Sequence, residues 1–344
     1  MNISYVLKNR TGIYGFCAVW IVVFHLYRRI SMPFIPVITN IVSLGNMAVD
    51  IFLFFSGVSL YLSAERNNYS ERGWKTYFTK RVCRILVPYF IVAVPYFLWS
   101  IIVESGHRNF IGILARFVWN VSSASFWIKG VQTTWYVYAI AIFYLAFPIL
   151  YNYIKNSNSA IKIAILLTAI YFFSVATNYL PILKNSTIAW TRLPIFVIGI
   201  MAGKYYAKLD LSKLNISARK LLVSFNVIFL LVSGCFLSFH EIYDANTIQA
   251  VYIWLFYGPM TLSVIVCLMA VCKGDGLQAD LLKVLGSISL EIYLVHITLL
   301  HPMDFYGVLK YAGNWNYLLL PICSIIIALG VKWVEGVVIK QFWK

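Results

Sequence analysis

The chain has 344 residues, 61% of them apolar and 12% charged, and a net charge of +16. A soluble domain carries about 25% charged and about 45–50% apolar residues, so a water-soluble fold is excluded and lipid takes the place of water around most of the chain. The cations are scattered over many loops, which excludes a compact nucleic-acid-binding domain and fits the cytoplasmic anchoring of membrane spans.

Apolar runs of about 18–25 residues cross the hydrocarbon core. Ten such runs are expected, at 11–30, 43–64, 84–104, 132–153, 161–178, 189–207, 219–238, 248–271, 281–300 and 315–337. They predict an all-α polytopic bundle. No small-residue cleavage site follows the first run, so it reads as a retained span and not as a signal peptide. Arg108, Arg116 and Lys129 interrupt 108–130, which reads as an interfacial or re-entrant piece. No internal repeat or appended soluble domain is evident, and residues 1–344 read as a single membrane domain. With the N-terminus in the cytoplasm, twenty of the 28 Lys and Arg residues fall on the cytoplasmic side, so both termini are expected there. The six cysteines lie in apolar segments or basic loops without zinc-site spacing, so neither disulfides nor a metal is expected.

An ionisable side chain at membrane depth costs about 2.5–3.5 kcal/mol on insertion scales and invites a functional reading. His25, Asp50, Arg192 and His296 come from four spans and fall at a similar level, toward the outer side. Each has a plainer alternative: an interhelical hydrogen bond for His25, a cation partner or helix cap for Asp50, snorkelling for Arg192, a passive cavity wall for His296. Glu291 is deeper and reads as an ion-pair partner. On the cytoplasmic side, WKTYFTKRVCRILVPY is the densest basic stretch. Arg81 and Arg84 are three residues apart, on one helix face, where two guanidiniums can grip phosphates. A simple barrier to translocation needs cations but no such spacing.

Six segments resemble, in order, the motifs of the acyltransferase-3 superfamily of membrane acyltransferases. TGIYGFCAVWIVVFHL is similar to its first-helix signature, ending at His25. NMAVDIFLFFSGVSLYL resembles its second-helix motif, with Asp50, Phe52, Phe54, Phe55, Ser56 and Gly57. YFTKRVCRILVPYF supplies Arg81 and Arg84 at the Arg-x-x-Arg positions. TTWYVYAIAIFYLAFPIL resembles the Trp-Tyr/Phe span, with Trp135, Tyr136, Tyr144 and Pro148. RLPIFVIGIMAG is like the Arg-x-Pro-x-Phe-x-x-Gly span, and LGSISLEIYLVHITLL resembles the late span that ends in His296. One position departs: the family's first-helix Arg, eleven residues before the His, is Tyr14 here. Arg10 lies one helical turn earlier on nearly the same face. Either Arg10 takes over the role or the role is absent.

The resemblance implies an O-acyltransferase of the bacterial cytoplasmic membrane, most often an O-acetyltransferase. Its donor would be cytoplasmic acetyl-coenzyme A. Its acceptor would be a hydroxyl of a cell-surface polysaccharide or a lipid-linked sugar precursor. His25 is expected as general base, with Asp50 orienting it and His296 beside them. Arg81, Arg84 and Arg10 are expected to hold the donor phosphates. Trp135 and Tyr136 are expected to meet the sugar, and Arg192 the oxyanion. The alternative class is a transporter or flippase of glycan intermediates, for which an internal repeat would be expected.

Overall fold

The computed structural model describes residues 3–30, 36–67, 71–104, 109–131, 133–206, 260–268 and 276–342, with a few single positions between them. Most of the expected spans at 219–238 and 248–271 lies outside the described residues. Among the described residues every regular element is helical. In chain order these are α1 (Ile3–Tyr27), α2 (Pro36–Ser43), α3 (Met47–Asn67), α4 (Glu71–Trp99), a π-turn (Ser100–Glu104), α5 (Phe110–Val121), α6 (Ala124–Lys129), α7 (Trp135–Asn156), α8 (Ala160–Ala176), α9 (Pro181–Lys184), α10 (Thr187–Trp190), α11 (Leu193–Tyr206), α12 (Leu277–Ser287), α13 (Ser289–Phe305), α14 (Val308–Ala312) and α15 (Asn316–Phe342).

Five stretches are long and apolar enough to cross a membrane: Asn9–Tyr27, Met47–Asn67, Gly73–Glu104, Trp135–Asn156 and Val308–Gln341. They coincide with the first four expected spans and the last. The expected span at 281–300 is broken: α12 and α13 meet at Ile288 with a 70° bend, and count as a sixth span only if taken together. The fifth and sixth expected spans are helical but short. α8 has 17 residues and α11 has 14; at 1.5 Å per residue they reach about 26 and 21 Å, against about 30 Å of hydrocarbon. A turn at Thr191–Arg192 separates α10 from α11, and Pro194 sits in the first turn of α11, where its missing N–H leaves no bond unmade. The ambiguous stretch becomes α5, whose N-terminus Asn109 caps by accepting from the Ile111 N–H at 3.1 Å. With twelve residues α5 is too short to cross, and it presents Phe110, Ile111, Leu114 and Val118 outward, as an interfacial piece does.

The side chains are distributed as lipid dictates. Ile149, Phe172, Ile326 and Trp333 are exposed on the outside of the bundle, whereas Asp50, Arg192, Lys204, Glu291, His296 and Glu335 are buried within it. Glu291 has the cation partner expected of it: Lys332 lies 2.9 Å from Glu291 and 2.8 Å from Glu335. Lys204, which the sequence reading passed over, donates to the Ile154 and Ser157 carbonyls at 2.5 and 2.6 Å and so satisfies the end of α7. α4 extends further toward the N-terminus than expected, so the basic segment is a continuation of the membrane helix and not a loop.

Two backbone-close crossings set the positions that matter for function. α3 and α11 touch at Gly57 and Gly199: a Cβ on Gly57 would lie 2.3 Å from the Phe196 carbonyl oxygen, and one on Gly199 2.2 Å from that of Phe54. This contact holds the Asp50 end of α3 against Arg192. α1 and α12 touch at Gly15 and Gly286 in the same way, with a Cβ on Gly286 only 1.7 Å from the Thr11 carbonyl oxygen.

Candidate active site

Arg10, Arg81 and Arg84, singled out in the sequence, converge on one cavity. Arg10 from α1 and Arg81 and Arg84 from α4 line a cavity of about 110 Å³ with Ser56 and Ser59 of α3, Tyr136 and Tyr144 of α7, and Ser289 and Tyr293 of α13. No carboxylate is among its lining residues. Arg10 Nη1 donates to Ser59 Oγ at 2.5 Å, its guanidinium carbon sits 5.7 Å from the Tyr14 ring centroid, and its buried Nε has no hydrogen-bond partner. Arg81 lies over the Tyr144 ring at 5.6 Å. Like charges in a partly apolar cavity repel, so a cluster of three guanidiniums without a carboxylate is an anion site by its chemistry. The long side chain of Arg10 brings it to the cavity that Tyr14 also lines.

The two histidines singled out by depth also meet in the plane. His25 Nδ1 lies 2.9 Å from the Ile21 carbonyl oxygen, and His296 Nδ1 lies 3.0 Å from that of Ile292. A carbonyl only accepts, so each Nδ1 carries its proton. His25 Nδ1 is also 3.1 Å from His296 Nε2. Two neutral rings satisfy this pattern: the shared His25 Nδ1–H donates to both Ile21 and His296, and the lone pair of His25 is left on Nε2. His25 Nε2 has no hydrogen-bond partner among the described residues. His296 is fully buried and His25 half-buried.

Asp50 does not reach His25. Its carboxylate lies in the first turn of α3 with Oδ2 3.8 Å from Arg192 Nε, both side chains almost completely buried. Arg192 also donates from Nη1 to the Ile188 carbonyl at 3.1 Å, and its guanidinium lies 5.1 Å over the Trp135 ring. Asp50 Oδ2 makes no hydrogen bond. His25 is therefore oriented by backbone and by His296, and Asp50 orients Arg192. Arg192 does not snorkel to the surface. Trp135 gives a face to this guanidinium, and Tyr136 lines the cationic cavity.

The same order of groups recurs along four helices. From the cationic end, α1 carries Arg10, Tyr14 and then His25; α3 carries Ser59, Phe52 and then Asp50; α7 carries Tyr144, Tyr136 and then Trp135; α13 carries Ser289, Tyr293 and then His296. In each triplet the first two line the cavity, and the third belongs to the buried polar groups beyond it. Arg10 and His25 are fifteen residues apart, about 22 Å along the helix. Sequence reasoning missed Ser56, Ser59 and Tyr293 as site residues. The serines carry a signal, two hydroxyls one turn apart in an otherwise apolar span; Tyr293 carries none, since aromatics are common throughout.

The chain is thus a helical membrane protein with a cationic cavity and a histidine pair set apart along shared helices. The comparison of sequences agrees: the chain belongs to the acyltransferase-3 family, whose acyltransferase domain matches residues 12–334. It is a membrane acyltransferase, and the transporter class is not favoured. Comparison with curated proteins and with solved structures finds no match. Among the described residues no group of three or more His, Cys, Asp or Glu is placed to hold a metal ion.

Proposed function

We propose that the protein is an O-acetyltransferase. It takes an acetyl group from coenzyme A on the cytoplasmic side and places it on a hydroxyl of a cell-surface polysaccharide or its lipid-linked precursor. In this reading residues 1–344 form one domain of ten spans in a bacterial cytoplasmic membrane, with both termini inside. The observation that carries the proposal is the cavity with Arg10, Arg81 and Arg84 and no carboxylate, aligned along shared helices with the histidine pair.

The phosphates of the donor bind Arg81 and Arg84, and Arg10 supplies from one turn lower the guanidinium missing at Tyr14. The thioester end extends toward His25. His25 Nε2 takes the proton of the acceptor hydroxyl as its oxygen attacks the thioester carbonyl. Arg192, held by Asp50, faces the negative charge that develops on the carbonyl oxygen. The C–S bond then breaks, and the thiolate takes up the proton from His25. His296 keeps the imidazole in the tautomer with its lone pair on Nε2. An oxygen ester is more stable than a thioester, so no further energy source is needed.

The test uses membranes containing the protein and radiolabelled acetyl-coenzyme A. Label entering surface glycan, lost in His25→Ala, supports the reading. Label that never enters glycan overturns it.

A further inference from the structure

Between the cationic cavity and the histidines stands a layer of rings, one from each of four helices. Tyr14 of α1 packs on Phe52 of α3 with centroids 4.9 Å apart. Phe52 meets Tyr136 of α7 at 6.3 Å, and Tyr136 meets Tyr293 of α13 at 5.2 Å. All four line the cavity. On its far side, Tyr293 is 5.6 Å from the His296 ring. Phe52, Tyr136 and Tyr293 are buried and Tyr14 half-buried.

Resting on the acyl-transfer reading above, we propose that this aromatic collar selects the transferred group by size, and that Tyr14 and Phe52 are its specificity-determining residues. A donor whose phosphates are held by the arginines has to bring its thioester past these rings to reach His25. The space on the cationic side is about 110 Å³, smaller than the roughly 150 Å³ engineered cavity that takes a benzene. Donor phosphates held by the arginines occupy that space, so an alkyl chain cannot fold back into it and has to pass the rings. Two of the collar helices are anchored at close range to neighbours outside it, α1 to α12 at Gly15 and α3 to α11 at Gly57. Chain length is then read by ring volume. Tyr14 occupies the place where an arginine is expected from the family pattern, so the same substitution that moves the cation to Arg10 places a ring in the path.

The test is a chain-length series: acetyl-, propionyl- and butyryl-coenzyme A as donors for the intact protein in membranes. The unaltered protein is expected to lose about tenfold or more in rate for each added methylene. Tyr14→Ala and Phe52→Ala are expected to move the butyryl-to-acetyl ratio up by about tenfold or more, because an engineered cavity of roughly 150 Å³ takes a guest as large as benzene. Tyr14→Trp, which narrows the passage, is expected to lower propionyl transfer more than acetyl transfer. Equal rates for acetyl and butyryl in the unaltered protein overturn the collar whatever the variants do, as does an unchanged ratio in alanine variants that still transfer acetyl. No transfer from any thioester by the unaltered protein strikes the acyl-transfer reading itself, a different result from a flat length profile.

Discussion

At one end of α1, Arg10 joins Arg81 and Arg84 around a cavity without a carboxylate; near the other, His25 and His296 share a hydrogen bond and Arg192 has Asp50 beside it. The first region holds charge that its own walls do not balance, and it opens between helices. The second pairs its charges and rings internally, Asp50 with Arg192 and His25 with His296. The contrast teaches what each end is ready for. Unbalanced guanidiniums wait for a ligand's charge, whereas a satisfied imidazole with one free lone pair waits for a proton.

The comparison breaks first at His25. His25→Ala is expected to lower transfer by about 10²–10⁴-fold and to leave coenzyme A binding intact by equilibrium dialysis; loss of binding would mean that the two ends do not act separately. Next in size is the buried pair. Asp50→Ala leaves Arg192 charged in the interior and is expected to destabilise the protein by about 3–5 kcal/mol, read from thermal unfolding in detergent. Arg81→Ala with Arg84→Ala removes two charge-assisted contacts at about 1.5–3 kcal/mol each, so coenzyme A binding should weaken at least about 100-fold and lose most of its salt dependence, with folding unchanged. Arg10→Ala should lower donor affinity about tenfold and Tyr14→Phe much less; the reverse order would show that Arg10 has not taken over the missing role. The smallest effect is expected at the rim. Arg29 pairs with Asp304 where both side chains are nearly half exposed, and Arg29→Ala should cost no more than about 1 kcal/mol.

The spans that were legible are those in which composition alone decides. α3 and α7 are long and predominantly apolar, and a crossing helix suits such a run in lipid. The 70° break at Ile288 was not legible, because LGSISL keeps its apolar character through the bend; Gly286 is there for its approach to Thr11, which only the partner helix reveals. The site was half legible. Depth along each span brought His25, Asp50, Arg192 and His296 to one level, but hydropathy says nothing about which helix faces which. The partners therefore came out exchanged: Asp50 with Arg192, His25 with His296. Arg81 and Arg84 were legible because spacing along one helix is a local property. The collar was hidden, since Tyr14, Phe52, Tyr136 and Tyr293 are separated by long stretches of chain. Phe52, Tyr136 and Tyr14 were marked in the sequence, Tyr14 as an absence, but nothing there brought them together.

The break between α12 and α13 has an electrical consequence. α13 starts at Ser289, and Ser289 and Leu290 form part of the cavity wall. A helix begins with amides that have no partner within it and carries about half a positive charge there. That partial charge belongs to the peptide groups, so it neither titrates nor disappears with a side-chain substitution. An unbroken span would have carried its aligned peptide dipoles past the cavity; the bent one spends a terminus there. Part of the field at the cavity is thus written into the path of the backbone, and it persists when the arginines are taken away.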